Sequence, residues 1–145
     1  MSLVLDASVF LAGFRSTERH YRVSEEFLSQ VALAEEIICP SLVLVECAAA
    51  TVRTSGSPLA ARRAVEKVKR AFPIEFVLVI DRLLDQAIEA AISCRTRGAD
   101  SCYIAVAKQA GATLITWDLE MLERGAALVT TMTPEQWLEE QARPA

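Results

Sequence analysis

Apolar residues recur along this chain in two rhythms that take turns: short unbroken runs, and longer stretches in which they return every third or fourth position. The first rhythm predicts buried strands and the second predicts helices with one inward face. Residues 2–5 predict a first strand and residues 7–13 a helix directly after it, with Asp6 at the junction. Phe27, Leu28, Val31 and Ala34 stripe a helix over 24–34, and residues 37–39 predict a second strand. Pro40 and Ser41 then open a helix running SLVLVECAAATVR, which places Glu46 inside it. After the turn-rich segment 54–58, Ser57 caps a helix with Pro58 at its first position and Val65, Val68 and Phe72 as its stripe. Residues 76–80 predict a third strand, Asp81 the N-cap of the next helix, and Leu84, Ile88 and Ile92 its inward face. A helix from near Asp100 carries Ile104 and Ala107, residues 112–116 predict a fourth strand, and Asp118 opens a short helix. Residues 128–130 predict a fifth strand, and Thr133-Pro134-Glu135-Gln136 is a capping box that starts the last helix.

Strands alternating with helices predict an α/β fold: one domain over residues 1–145, with a mainly parallel central sheet of four to five strands flanked by helices. Open sheets of this kind gather their sites at the carboxyl ends of the strands. Asp6 and Asp118 each follow a strand and so fall on that edge.

Composition narrows the class. A hydrophobic content of 52% with only five glycines and five prolines excludes a disordered or fibrous chain. The apolar N-terminus lacks a basic leader and carries Asp6, and no apolar run is long enough for a membrane span, so a soluble cytoplasmic protein is expected. Cys39, Cys47, Cys94 and Cys102 lack metal spacing and His20 has no companion, which predicts reduced, mostly buried thiols rather than a zinc site. The formal charge of −4 gives no general attraction to a polyanion.

The candidate chemistry lies in four acids. Asp100 and Asp118 precede helical segments and Asp6 sits between strand and turn, so each can serve as a helix cap. Glu46 lies among Leu42–Val45 and Cys47–Ala50 with neither helix end close. It is either solvated on an outward face or buried, and burial calls for a partner cation. Taken together, four carboxylates with no usable histidine or thiol select a hard cation, Mg2+ or Mn2+. Two such ions suit phosphodiester hydrolysis.

LVLDASVFL at the start, PSLVLVE ending at Glu46, RGADSCYIAVAK around Asp100 and LITWD ending at Asp118 resemble the PIN-domain nucleases, especially the VapC-like toxins. The resemblance covers nearly the whole chain. It implies a metal-dependent ribonuclease with Asp6, Glu46, Asp100 and Asp118 as the acidic site. Asp6, Asp100 and Asp118 would be the direct metal ligands, and Glu46 would hold a second ion or orient the hydrolytic water. Ser8 and Thr116 match positions of small polar residues that steady such a site, or they are ordinary turn and strand-end hydroxyls. The resemblance further implies a homodimer and a small antitoxin partner able to block the cleft with an arginine or lysine.

Substrate contact is harder to place. Residues 53–70 hold Arg53, Arg62, Arg63, Lys67, Lys69 and Arg70 against the single acid Glu66, a surplus of five positive charges. This segment guides RNA phosphates, meets an acidic partner, or is a solvated helix face. A haloacid-dehalogenase-like phosphatase is disfavoured because residue 8 is serine rather than the second aspartate of its D-x-D pattern. A response-regulator receiver lacks its adjacent early acids here. The alternatives that stay open are a noncatalytic PIN-like module that binds RNA or scaffolds a complex, and a housekeeping RNA-processing nuclease.

Overall fold

A computed structural model of the protein describes residues 1–144. The elements run β1 Ser2–Leu5, α1 Ala7–Phe14, α2 Tyr21–Ala34, β2 Glu36–Pro40, α3 Leu42–Ser55, α4 Pro58–Ala71 and β3 Ile74–Val77. They continue with α5 Asp81–Cys94, α6 Gly98–Ala110, β4 Thr113–Ile115, α7 Leu119–Gly125, β5 Thr131–Met132 and α8 Pro134–Ala142. All five strands are parallel, in the order β3-β2-β1-β4-β5. The chain therefore reverses direction across the sheet at β1, and β1 and β4 stand side by side in its middle. That is where the sheet's carboxyl edge opens a crevice.

The two strands flanking this crevice are apolar on both faces, because helices cover both sides of a parallel sheet. Val4, Leu5, Leu114 and Ile115 are all buried. Ile104 of α6 is also fully enclosed, and Phe27 of α2 meets Trp137 of α8 edge to face at 5.2 Å. Four helix starts follow the expected caps or prolines. Asp6 accepts from Ser8 N at α1, Ser57 from Ala60 N at α4, Asp118 from Glu120 N and Met121 N at α7, and Thr133 forms a complete capping box with Gln136.

The structure departs from the sequence reading mainly at the sheet's edges. β3 occupies 74–77 rather than 76–80, because its extent is dictated by β2: the register pairs Ile37 with Ile74 and ends at Pro40 with Val77. Leu78 and Ile80 run past the sheet and are exposed. β5 is Thr131–Met132, beginning three residues later than the expected 128–130. Leu128 and Val129 instead pack against the core from the turn after α7, so their apolarity reports burial without pairing. Helix α2 begins at Tyr21, three residues early, and buries Ser24 because its hydroxyl accepts from Trp117 Nε1 at 2.8 Å, while Ala34 is exposed.

Helix α5 is turned relative to the expectation. Leu83, Ala87, Ala90 and Cys94 face inward, and Leu84, Ile88 and Ile92 are exposed. The small alanines let α5 lie close on α6, and close approach decides the inward face over bulk. Asp81 does not cap this helix; Ile80 holds the cap position and Asp81 sits at φ 53. This assignment of faces predicts that Leu83→Ala costs about 2–5 kcal/mol of unfolding free energy in urea, whereas Ile92→Ala, measured on the monomer, changes it by about 0.5 kcal/mol or less. The reverse order would show that the helix is rotated.

Candidate active site

Asp6 is the first residue after β1, and its backbone N–H still bonds Ile115 O of β4 at 3.2 Å. The chain then enters α1, whose second residue, Ser8, donates twice to Asp6 Oδ1, through N at 2.9 Å and Oγ at 2.5 Å. On the other side Thr116, just past β4, donates its hydroxyl to Asp6 Oδ2 at 2.6 Å. Both hydroxyls are themselves acceptors: Trp117 N donates to Ser8 Oγ at 3.1 Å and Asp118 N to Thr116 Oγ1 at 3.0 Å. Because the backbone amides fill the hydroxyl lone pairs, the hydroxyl protons are aimed at the carboxylate. One acid thus ties the β1–α1 turn to the β4–α7 turn.

Burial works against this clasp electrostatically. Asp6 is only 4% exposed, and desolvation pushes its carboxyl up from 3.8 to about 6, with the Ser8 and Thr116 hydrogen bonds and the Ser8 amide pulling it down and Glu46 adding a smaller upward push. Glu46 projects from the second turn of α3, and its Oε1 accepts from the phenol of Tyr103 at 2.6 Å. Its carboxyl is also raised, chiefly by burial and partly by Asp100, while the Tyr103 bond and the charges of Arg97 and Arg53 lower it. The expected partner of Glu46 was a cation; its direct partner is a neutral hydroxyl, and the cations act from further away.

Asp100 lies in the first turn of α6 but does not cap it, since the N-cap position is Arg97. Its carboxyl is raised by burial, against the lowering pull of Arg97. Asp118 combines two jobs. Its Oδ1 accepts from Glu120 N at 2.9 Å and Met121 N at 3.2 Å, capping α7, while Oδ2 is left for other partners. The guanidinium of Arg97 spans both acids, with Nε 3.2 Å from Asp100 Oδ2 and Nη2 3.1 Å from Asp118 Oδ2.

Asp6, Glu46, Asp100 and Asp118 therefore line one cleft of about 270 Å³ at the carboxyl edge of the sheet, together with Ser8, Arg53, Arg97 and Tyr103. Arg97, Tyr103 and the nearby Glu120 were not anticipated. The spacing of Arg97 and Tyr103, three positions before and after Asp100, places Arg97 at the N-cap and Tyr103 on the face of Asp100, but it does not reveal their partners in other segments. The basic segment is divided rather than continuous. Arg53 reaches the acidic cleft; Arg63 and Lys67 line the neighbouring groove with Arg15, and Arg62 lies on the opposite groove. Arg70 pairs with Glu66 at 2.8 Å and Lys67 sits 4.4 Å from the centre of the Phe14 ring. Lys69 is simply exposed.

Among the described residues, Cys39, Cys47 and Cys94 are buried free thiols and Cys102 is half-buried; burial pushes Cys39 and Cys47 up to about 12. The lone His20 stacks on Trp117 at 3.9 Å. The donors facing the cleft are thus hard oxygens, which suit Mg2+ or Mn2+ in kind. They do not form a ready cage: among the described residues no three acidic, histidine or cysteine groups converge to metal-binding distance. Among the described residues no helix is long and apolar enough to cross a membrane.

Comparison with solved structures finds this architecture repeatedly. VapBC2 from Rickettsia felis, bound to a DNA fragment from its promoter, superposes with a TM-score of 0.72 at 15% identity, covering 92% of this chain and 98% of that one. VapC20 of Mycobacterium tuberculosis, a Sarcin-Ricin loop cleaving toxin, gives 0.72 at 18% identity, covering 88% and 96%. FitAcB from Neisseria gonorrhoeae gives 0.69 at 15% identity, covering 92% and 98%. At such identities these likenesses establish the fold. No curated protein sequence matches the chain significantly. The family model for the PIN domain matches residues 3–127, and with that span and this topology the chain belongs to the PIN domain family.

Proposed function

We propose that the protein is a Mg2+- or Mn2+-dependent endoribonuclease, and the toxin of a toxin–antitoxin pair. The observation that carries this reading is the meeting of Asp6, Glu46, Asp100 and Asp118, from four distant segments, in one cleft where the most buried acid is held by two hydroxyls. Membership of the PIN family supports a nuclease, and the VapBC-type neighbours support the toxin assignment. Ser8 and Thr116 keep Asp6 ionised and aimed, so they act as positioning residues. Asp6, Asp100 and Asp118 are the residues that would hold the divalent ion, which supplies charge neutralisation at the phosphate and a more acidic bound water. Glu46, half-buried and raised toward neutrality, can accept a proton from an incoming water, with Tyr103 fixing its Oε1. Arg53 at the cleft, and Arg15, Arg63 and Lys67 in the adjoining groove, give an RNA backbone a cationic track into an acidic site.

Two partners follow from the same reading. The toxin–antitoxin complexes among the neighbours support a small antitoxin partner, which would cover the cleft and place a basic side chain among its acids. A second copy of the chain would cover the apolar stripe of Leu84, Ile88 and Ile92, exposed by 46%, 49% and 67%. Action on RNA in the cytoplasm is the setting this chemistry fits.

Asp6→Asn is expected to lower metal-dependent RNA cleavage on the order of 10²–10³-fold, with RNA binding retained. Gel assays of structured and single-stranded RNA with Mg2+, Mn2+ or EDTA check this; RNA binding without cleavage in every metal would favour a noncatalytic scaffold instead. Ile88→Glu is expected to halve the solution mass measured by light scattering, and an unchanged mass would place the dimer contact elsewhere.

The buried Asp6 also makes a pH prediction for the metal-free protein. The folded chain keeps a proton on Asp6 up to about pH 6, whereas an unfolded aspartate releases it near 3.8, so the folded state binds more protons between these values. Stability from this group is therefore highest below about pH 4, declines as pH rises, and levels off above about 6. Measured in urea with EDTA, wild type minus Asp6→Asn should fall by roughly 2 kcal/mol between pH 4 and pH 7. A difference that stays constant with pH contradicts the assignment.

A further inference from the structure

We propose that Arg97 is a built-in counter-cation that holds Asp100 and Asp118 until a divalent ion takes them, and that it thereby sets how tightly the site binds metal. This rests on the metal-nuclease reading above and concerns a residue that reading does not use.

Three observations lead to it. First, Nε and Nη2, the two donors on one edge of the guanidinium, engage Oδ2 of Asp100 and Oδ2 of Asp118. A single planar fork therefore spans the gap between two acids that would share an ion. Second, Asp118 has little to spare. Its Oδ1 already serves two backbone amides at the start of α7, so Oδ2 is the oxygen that either Arg97 or an ion must use. Asp6 is similarly committed, with Ser8 on Oδ1 and Thr116 on Oδ2. Third, the side chain is free to leave. Arg97 is 72% exposed, projects from the N-cap position of α6, and its side-chain hydrogen bonds in the structure are those to the two acids.

The alternative is that Arg97 is a fixed part of the scaffold, bracing α6 against α7. Its exposure argues against that, because a brace of long-range importance is ordinarily enclosed by the elements it joins. The seated guanidinium spans the space between Asp100 and Asp118. A dication entering beside it would meet a like charge at close range, so ion and guanidinium exclude one another from the same oxygens.

The test is Mn2+ binding by titration calorimetry on the EDTA-stripped full chain, with wild type, Arg97→Gln and Arg53→Gln. Arg53→Gln removes the same charge from the same cleft, but among the described residues Arg53 pairs with no carboxylate, so it controls for net charge. Arg97→Gln should bind Mn2+ roughly fivefold more tightly than wild type, the scale of two partly exposed ion pairs released, and Arg53→Gln less than half of that gain. Unchanged or weaker binding by Arg97→Gln overturns the proposal while leaving the metal site standing. An equal gain from Arg53→Gln also overturns it, since charge alone would then suffice. No Mn2+ binding by any of the three proteins would remove the metal site itself, and the Arg97 proposal with it.

Discussion

The site depends on one buried carboxylate. Asp6 is removed from water between β1 and α1, and it is kept useful by two hydroxyls whose lone pairs are already occupied by the amides of Trp117 and Asp118. This arrangement does two things together. It opposes the desolvation that would otherwise protonate the acid, and it locks the β4–α7 turn, with Asp118 on it, against the β1–α1 turn. Neither hydroxyl can be replaced by a methyl without leaving a buried oxygen or amide unpaired.

Everything else about the cleft follows from where the sheet places its central strands. With β1 and β4 adjacent, the first helix and the α7 turn emerge side by side, and α3 and α6 bring Glu46 and Asp100 to the same edge. Four acids in one cleft repel one another, and the chain moderates this with the charges of Arg97 and Arg53. Burial raises Asp6, Glu46 and Asp100 alike, which is a stability cost in the metal-free protein and the source of a strong electrostatic demand for a cation. An arginine that can be displaced meets that demand temporarily, in a way that a permanently buried ion pair would not.

Much of this was legible in the residues. The positions of β1, α3, α6 and β4 followed from apolar periodicity, and the four acids were singled out because their types and order suited one chemistry. Capping and a place in the cleft, which had looked like competing explanations, coexist in Asp6 and Asp118: each caps a helix and also lines the cleft. The edges were not legible. β3 is fixed by its register with β2, and the inward face of α5 by how closely small residues let it approach α6, so neither could be read from its own segment. Arg97 and Tyr103 escaped because their roles are defined by partners in other segments, Asp118 and Glu46.

The central claim is that Asp6, Asp100 and Asp118 close on a single divalent ion when the guanidinium of Arg97 withdraws. Anomalous diffraction from crystals equilibrated with Mn2+ addresses it most directly. The account predicts a manganese peak within about 2.0–2.3 Å of oxygens from Asp6 and at least one of Asp100 and Asp118, with Arg97 moved off both. Saturating Mn2+ that leaves the cleft empty and Arg97 in place would contradict it.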